Sequence, residues 1–107
     1  MAASNRYADA YDYEAITVSS TAVGLTSTKV TPSDAANTPA HGKAFEVFIS
    51  VETNGIRYRI DGTDPTAAEG HPLAAGDKLT VTGYNNIKRL KMIRQSADAA
   101  VKVTFFR

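Results

Sequence analysis

Ile56-Arg57-Tyr58-Arg59-Ile60-Asp61-Gly62-Thr63-Asp64-Pro65-Thr66 decides the fold class. Its first half alternates: Ile56, Tyr58 and Ile60 point to one side of an extended chain, Arg57 and Arg59 to the other. Asp61-Gly62 ends the strand, because this pair accepts positive φ at little steric cost. Pro65 has no N–H to give to a ladder, so pairing stops before it. After Gly70-His71-Pro72-Leu73, a second turn at Gly76-Asp77 launches Lys78-Leu79-Thr80-Val81-Thr82.

Upstream, Ala44 to Glu52 has the strongest strand pattern. Phe45, Val47, Ile49 and Val51 form one apolar face; Ala44, Glu46, Phe48 and Ser50 form the other, and Phe48 predicts partial cover there. Thr53-Asn54-Gly55 reads as a tight reversal, since Asn-Gly is the strongest short hairpin signal, so Ala44–Glu52 and Ile56–Ile60 are predicted to pair antiparallel. Residues 67–73 read as a connector. Beyond them come a turn at Gly83-Tyr84-Asn85-Asn86, a strand over Ile87–Ile93, a turn at Gln95–Asp98, and a last strand over Ala99–Phe106 with Val101, Val103 and Phe105 on one face. Toward the N-terminus, Glu14–Ser20 is rich in β-branched residues and reads as a strand, followed by a short apolar segment over 21–25. Thr28–Thr31 reads as another strand, stopped by Pro32, and residues 32–42 as a surface loop. No window carries a helical period. The expectation is all-β: a single-domain antiparallel β-sandwich or jelly-roll-like barrel of about seven or eight short strands over residues 14–107, with a polar arm over 1–13.

The length of 107 residues fits one domain. There is no cysteine, so neither a disulfide framework nor thiolate chemistry is available. Twelve basic residues balance eleven acidic ones, which argues against duplex nucleic acid as a partner. Met1-Ala2-Ala3-Ser4-Asn5-Arg6 has no apolar core of a signal peptide, and no run is long enough to cross a bilayer. The expectation is a soluble chain made without export by the usual signal, with no membrane partner.

The residues offer little chemistry. His41 and His71 both fall in Gly/Pro-containing connectors, with no second ligand at metal-binding spacing. Asp61, Thr63 and Asp64 lack the further carboxylates of a calcium loop, and Asx-turn hydrogen bonding accounts for them. No nucleophile elbow or phosphate-binding glycine loop is present. The chain reads as non-catalytic, without cofactor, metal or small-molecule substrate. Lys88-Arg89-Leu90-Lys91-Met92-Ile93-Arg94 is basic, but as a strand its charges do not segregate to one face and no aromatic interleaves them, unlike a nucleic-acid platform.

Candidate partner-binding residues come from three regions. Tyr7, Tyr11 and Tyr13 dot the arm; it is either a loosely ordered terminus or a segment that orders when its tyrosines dock on a neighbouring subunit. Asn37 and His41 lie in the long loop, where small β domains often make contacts. Arg57 and Arg59 follow from alternation alone.

The run Arg57–Thr66, with Gly70-His71-Pro72-Leu73, Gly76-Asp77-Lys78-Leu79 and Val103-Thr104-Phe105-Phe106, resembles small virion proteins of tailed bacteriophages. The resemblance spans the chain from Phe45 onward and is one of turns and strands. It implies a structural role: a capsid decoration or cement subunit on the exterior of the virion. Its partners would be the major capsid protein and further copies of itself. A tail, baseplate or head-to-tail connector component is the alternative. Ile56–Thr66 is also similar to a strand-turn motif of β-modules on sugar-degrading enzymes, which implies a carbohydrate-binding module. Tyr58 and Tyr84 would then be the stacking residues, although tryptophans are lacking and alternation puts Tyr58 in the core.

Overall fold

The computed structural model describes residues 9–32 and 42–107. Eight strands run as β1 (Ala10–Val18), β2 (Val23–Gly24), β3 (Glu46–Thr53), β4 (Ile56–Arg59), β5 (His71–Leu73), β6 (Lys78–Thr82), β7 (Lys91–Arg94) and β8 (Ala99–Phe106), with short helices α1 (Ser27–Val30) and α2 (Tyr84–Arg89). They form two four-stranded sheets, ordered β1-β8-β3-β6 and β2-β7-β4-β5. Every pairing is antiparallel. The first strand pairs with the last, the second with the seventh, the third with the sixth and the fourth with the fifth. The chain is thus doubled into one long hairpin and rolled into two layers, which is the jelly-roll form of the sandwich.

Period-two patterning supplies the core. In β8, Ala99, Val101, Val103 and Phe105 are all buried, and Val47, Ile49 and Val51 of β3 join them from the same sheet. The other sheet contributes Ile56 and Met92, with Tyr58 packed against them, so the alternation read over Ile56–Ile60 faces as expected. Tyr11 lies tilted against Phe105, with ring centroids 6.2 Å apart.

Five local readings are corrected. First, β3 and β4 do not pair. β3 lies between β8 and β6, whereas β4 lies between β7 and β5, so Thr53-Asn54-Gly55 carries the chain from one sheet to the other. The pairing of β3 with β8 shifts register between Val51 and Thr53, and Asn54 adopts φ 59°. Its side-chain amide donates to the Asp98 carbonyl at 2.8 Å, tying the crossing to the turn before β8. The Asn-Gly pair supplies positive φ, but the strands leaving it diverge.

Second, Thr28–Thr31 is not a strand. Ser27–Val30 is a single helical turn, closed by Val30 N–H to the Thr26 carbonyl and Thr31 N–H to the Ser27 carbonyl. Burial of Val30 and the bond from Ala44 N–H to its carbonyl override the β-branched preference. Third, Ile87–Arg89 belongs to α2 and only Lys91–Arg94 is strand. Ile87 and Leu90, three apart, are both buried, a helical spacing within a segment that also reads as alternation. Fourth, His71–Leu73 is an edge strand and not part of a connector; Pro72 sits on that edge, where a missing N–H is tolerated. Fifth, the first strand begins at Ala10, earlier than Glu14, so Tyr11 and Tyr13 belong to the sandwich and not to an arm.

Asn54 provides a test of the sheet crossing. Replacement by glycine is expected to cost about 1 kcal/mol or less, because glycine takes the left-handed conformation freely but loses the bond to Asp98. Replacement by valine is expected to cost about 1–2 kcal/mol or more in urea denaturation, from the conformation together with the lost bond to Asp98.

Candidate interaction surface

The outward residues of β1-β8-β3-β6 make a flat face whose composition is set by alternation. Across its middle runs the row Tyr13, Thr104, Phe48, Thr80, each paired with the next in register. Beside it lies the row Ala15, Lys102, Ser50, Lys78. Tyr13 is 54% exposed and Phe48 37%, the exposed large hydrophobic side chains of the described residues. The face thus offers two exposed aromatics and the half-buried Phe106 among threonine, serine and alanine, and it also carries Glu46, Lys78 and Lys102. Lys102 crosses to Glu52 on the same face at 2.8 Å, and that carboxylate holds the lysine's pKa above its ordinary value. The partial cover expected over Phe48 is modest.

The other sheet carries the two arginines, and both are engaged. Arg57 Nε donates to the Ala67 carbonyl and its Nη1 to the Gly70 carbonyl, each at 2.9 Å. It therefore pins the long β4–β5 loop to the strand. The approach is close: a Cβ on Gly70, whose φ is 136°, would sit 3.2 Å from the Arg57 side chain. Arg59 forms a two-pronged pair with Asp61, which also accepts the Thr63 N–H at 3.3 Å. Arg59, Ile60, Asp61, Glu69, Gly70 and His71 line a groove of about 360 Å³, with the His71 ring 5.3 Å from that of Tyr58.

Of the seven candidates read from sequence, Tyr7, Asn37 and His41 lie outside the described residues. Tyr13 stands outward on the flat face. Tyr11 is turned inward: its hydroxyl donates to the Lys29 carbonyl and the Arg107 guanidinium stacks 4.6 Å over its ring. Beside it, Lys29 pairs with Asp12 at 3.0 Å and lowers that carboxyl's pKa, helped by the Tyr13 N–H. Arg57 and Arg59 face away from Tyr13, so the structure does not gather the candidates into one site. Phe48 is the surface residue sequence reasoning undervalued; its signal was a large apolar side chain on an otherwise polar strand face.

Among the described residues no group of three or more His, Asp or Glu is placed to hold a metal, and no helix is long and apolar enough to cross a membrane. The chain matches no family model, no curated protein and no solved structure.

The Arg59–Asp61 pair has a readable pH dependence. Arg59 first, and the Thr63 N–H second, lower the Asp61 pKa from 3.8 to about 2. A depressed folded-state value stabilises the fold above the ordinary carboxylate range and loses that contribution as pH falls toward 2. Asp61→Asn is therefore expected to flatten part of the fall in thermal midpoint below about pH 4, and 1 M salt to shrink the difference, because the pair is solvent-exposed. Melting curves of both proteins from pH 2 to 7 check this.

Proposed function

We propose that the chain is a structural protein of a bacteriophage virion, a decoration subunit that binds the shell of major capsid protein and stabilises it. The observation that carries this reading is the face of β1-β8-β3-β6, where Tyr13 and Phe48 stand out beside Thr104 and Thr80, with Lys102 and Lys78 in the next row. Tyrosine and phenylalanine are enriched at protein–protein interfaces, and charge is depleted at their centres. The jelly-roll order adds support, since viral capsid proteins use this architecture, as does the resemblance from Phe45 onward. The mechanism is mechanical. Each subunit would lay its face across neighbouring capsid subunits, and many weak contacts repeated by symmetry, including those between copies, would resist expansion of the shell. Nothing in this mechanism needs a cofactor or a reaction.

A tail, baseplate or connector position would use the same face on a different partner. The groove beside Tyr58 and His71 favours a second reading, a carbohydrate-binding module, because Arg59, Asp61 and Glu69 supply hydrogen-bonding groups next to an aromatic pair. Absence of signal on a glycan array would remove it.

Co-sedimentation with capsids that lack the protein tests the main reading. Stoichiometric recovery is expected, with improved resistance of the particles to heat. The double variant Tyr13→Ser/Phe48→Ser is expected to bind roughly tenfold more weakly or worse, with its own thermal midpoint little changed. Recovery of a few copies per particle would move the protein to the tail or connector.

A further inference from the structure

A second site lies at the other end of the molecule's chemistry, between the two helices. Leu25, Val30, Thr31, Tyr84 and Lys88, with the small hydroxyl rim of α1, line a half-open pocket of about 390 Å³. Leu25 and Val30 make its apolar wall. Tyr84 begins α2, and its hydroxyl is 3.1 Å from that of Thr31, so these two polar groups satisfy each other. Lys43 Nζ stands 4.6 Å from the Tyr84 ring centroid and Lys88 Nζ 5.3 Å from the same centroid.

Sharing one ring brings the two ammoniums within about a Debye length, roughly 10 Å, so they repel each other. The ring's quadrupole attracts each but is no counter-ion. Among the described residues neither lysine has a carboxylate within ion-pair distance. Lys29, Lys91 and Lys102, and the arginines Arg59 and Arg94, each have one. None of the described residues lining the pocket is acidic. Two cations with no carboxylate partner among the described residues, Lys88 in the lining and Lys43 over the same Tyr84 ring, beside an apolar wall favour one kind of occupant: an anion with a hydrophobic body. The volume lies at the small end of ligand pockets, which suits a stem of about six carbons.

We propose that this pocket binds a carboxylate carried on a short apolar stem, the acid group beside Lys43 and Lys88 and the stem against Leu25 and Val30. Such a group exists as a free short-chain acid, or as a glutamate next to a leucine on a partner protein. The inference stands apart from the virion reading, because Tyr13 and Phe48 take no part in it.

Nuclear magnetic resonance titrations of the intact chain with three probes test it: hexanoate, the neutral isostere 1-hexanol, and the blocked peptide acetyl-Leu-Glu-Leu-amide. Saturable shifts confined to the amides of Leu25, Val30, Thr31 and Tyr84 are expected with hexanoate, the peptide or both. Which of those two binds more tightly assigns the source as free acid or protein. Lys43→Gln/Lys88→Gln, both at exposed positions, is expected to weaken binding at least tenfold while leaving the rest of the spectrum in place. Hexanol binding as tightly as hexanoate, an unaffected double variant, or no saturable shift with either acid would each overturn the proposal.

Discussion

The ladder between β1 and β8 holds the ends of the chain together, and the doubled hairpin depends on it. Asp9 and Arg107 exchange both backbone hydrogen bonds at 3.0 Å, and the register runs on from there to Val18 and Ala99. β8 is bonded to β3 on its other side, so one strand carries two ladders and half of its residues in the core. Its inner positions from Ala99 to Phe105 admit no polar substitution without an unpaired group in the apolar layer. Closing this ladder links residues at the two ends of the sequence, a large loss of chain entropy that burial of the inner face must offset. Once it is closed, β3 against β8 and β6 against β3 follow as neighbours.

The second sheet packs on the first through Ile56 and Met92, and two side chains order the chain around it. Asn54 turns the chain out of the first sheet with a backbone that few side chains accept. Arg57, from the middle of β4, binds two carbonyls of the loop that follows and so satisfies backbone groups no ladder reaches. The fold thus spends an arginine on internal architecture. That is why alternation, which assigns Arg57 to an outward face correctly, misleads about its availability to a partner.

The sheets were legible because each long strand writes its own two faces into the sequence: Val47-Ile49-Val51 and Val101-Val103-Phe105 leave one inward side. What failed was local and short. Ser27–Val30 is one turn of helix and Tyr84–Arg89 under two, too brief for a period of 3.6 to declare itself, and β-branched residues and alternating cations imitate strands there. Asn54-Gly55 has the chemistry of a hairpin turn, and only the global pairing decides that its flanking strands enter different sheets. Of the surface, Tyr13 was legible as exposed for the wrong structural reason, since its exposure comes from strand parity and not from an arm. The Lys43–Tyr84–Lys88 arrangement was not legible, because it joins residues that only the folded chain brings side by side.

Sheet edges and sheet faces make different offers to a partner, and this molecule closes one and opens the other. β2 has two residues and β5 three, with Pro72 on the edge. The long edge β1 shifts register between Ala10 and Asp12, where Asp12 is paired to Lys29, and the edge strand β6 starts with Lys78. Short strands, proline, irregular register and charge all oppose strand addition. On the face of β1-β8-β3-β6, in contrast, the central positions are Thr104 and Phe48, and the charges Glu52 and Lys102 neutralise each other. A surface built this way resists uncontrolled edge-to-edge growth while leaving an aromatic patch open. That combination is what the proposed decoration role asks of a subunit, which would associate through one defined face in many copies.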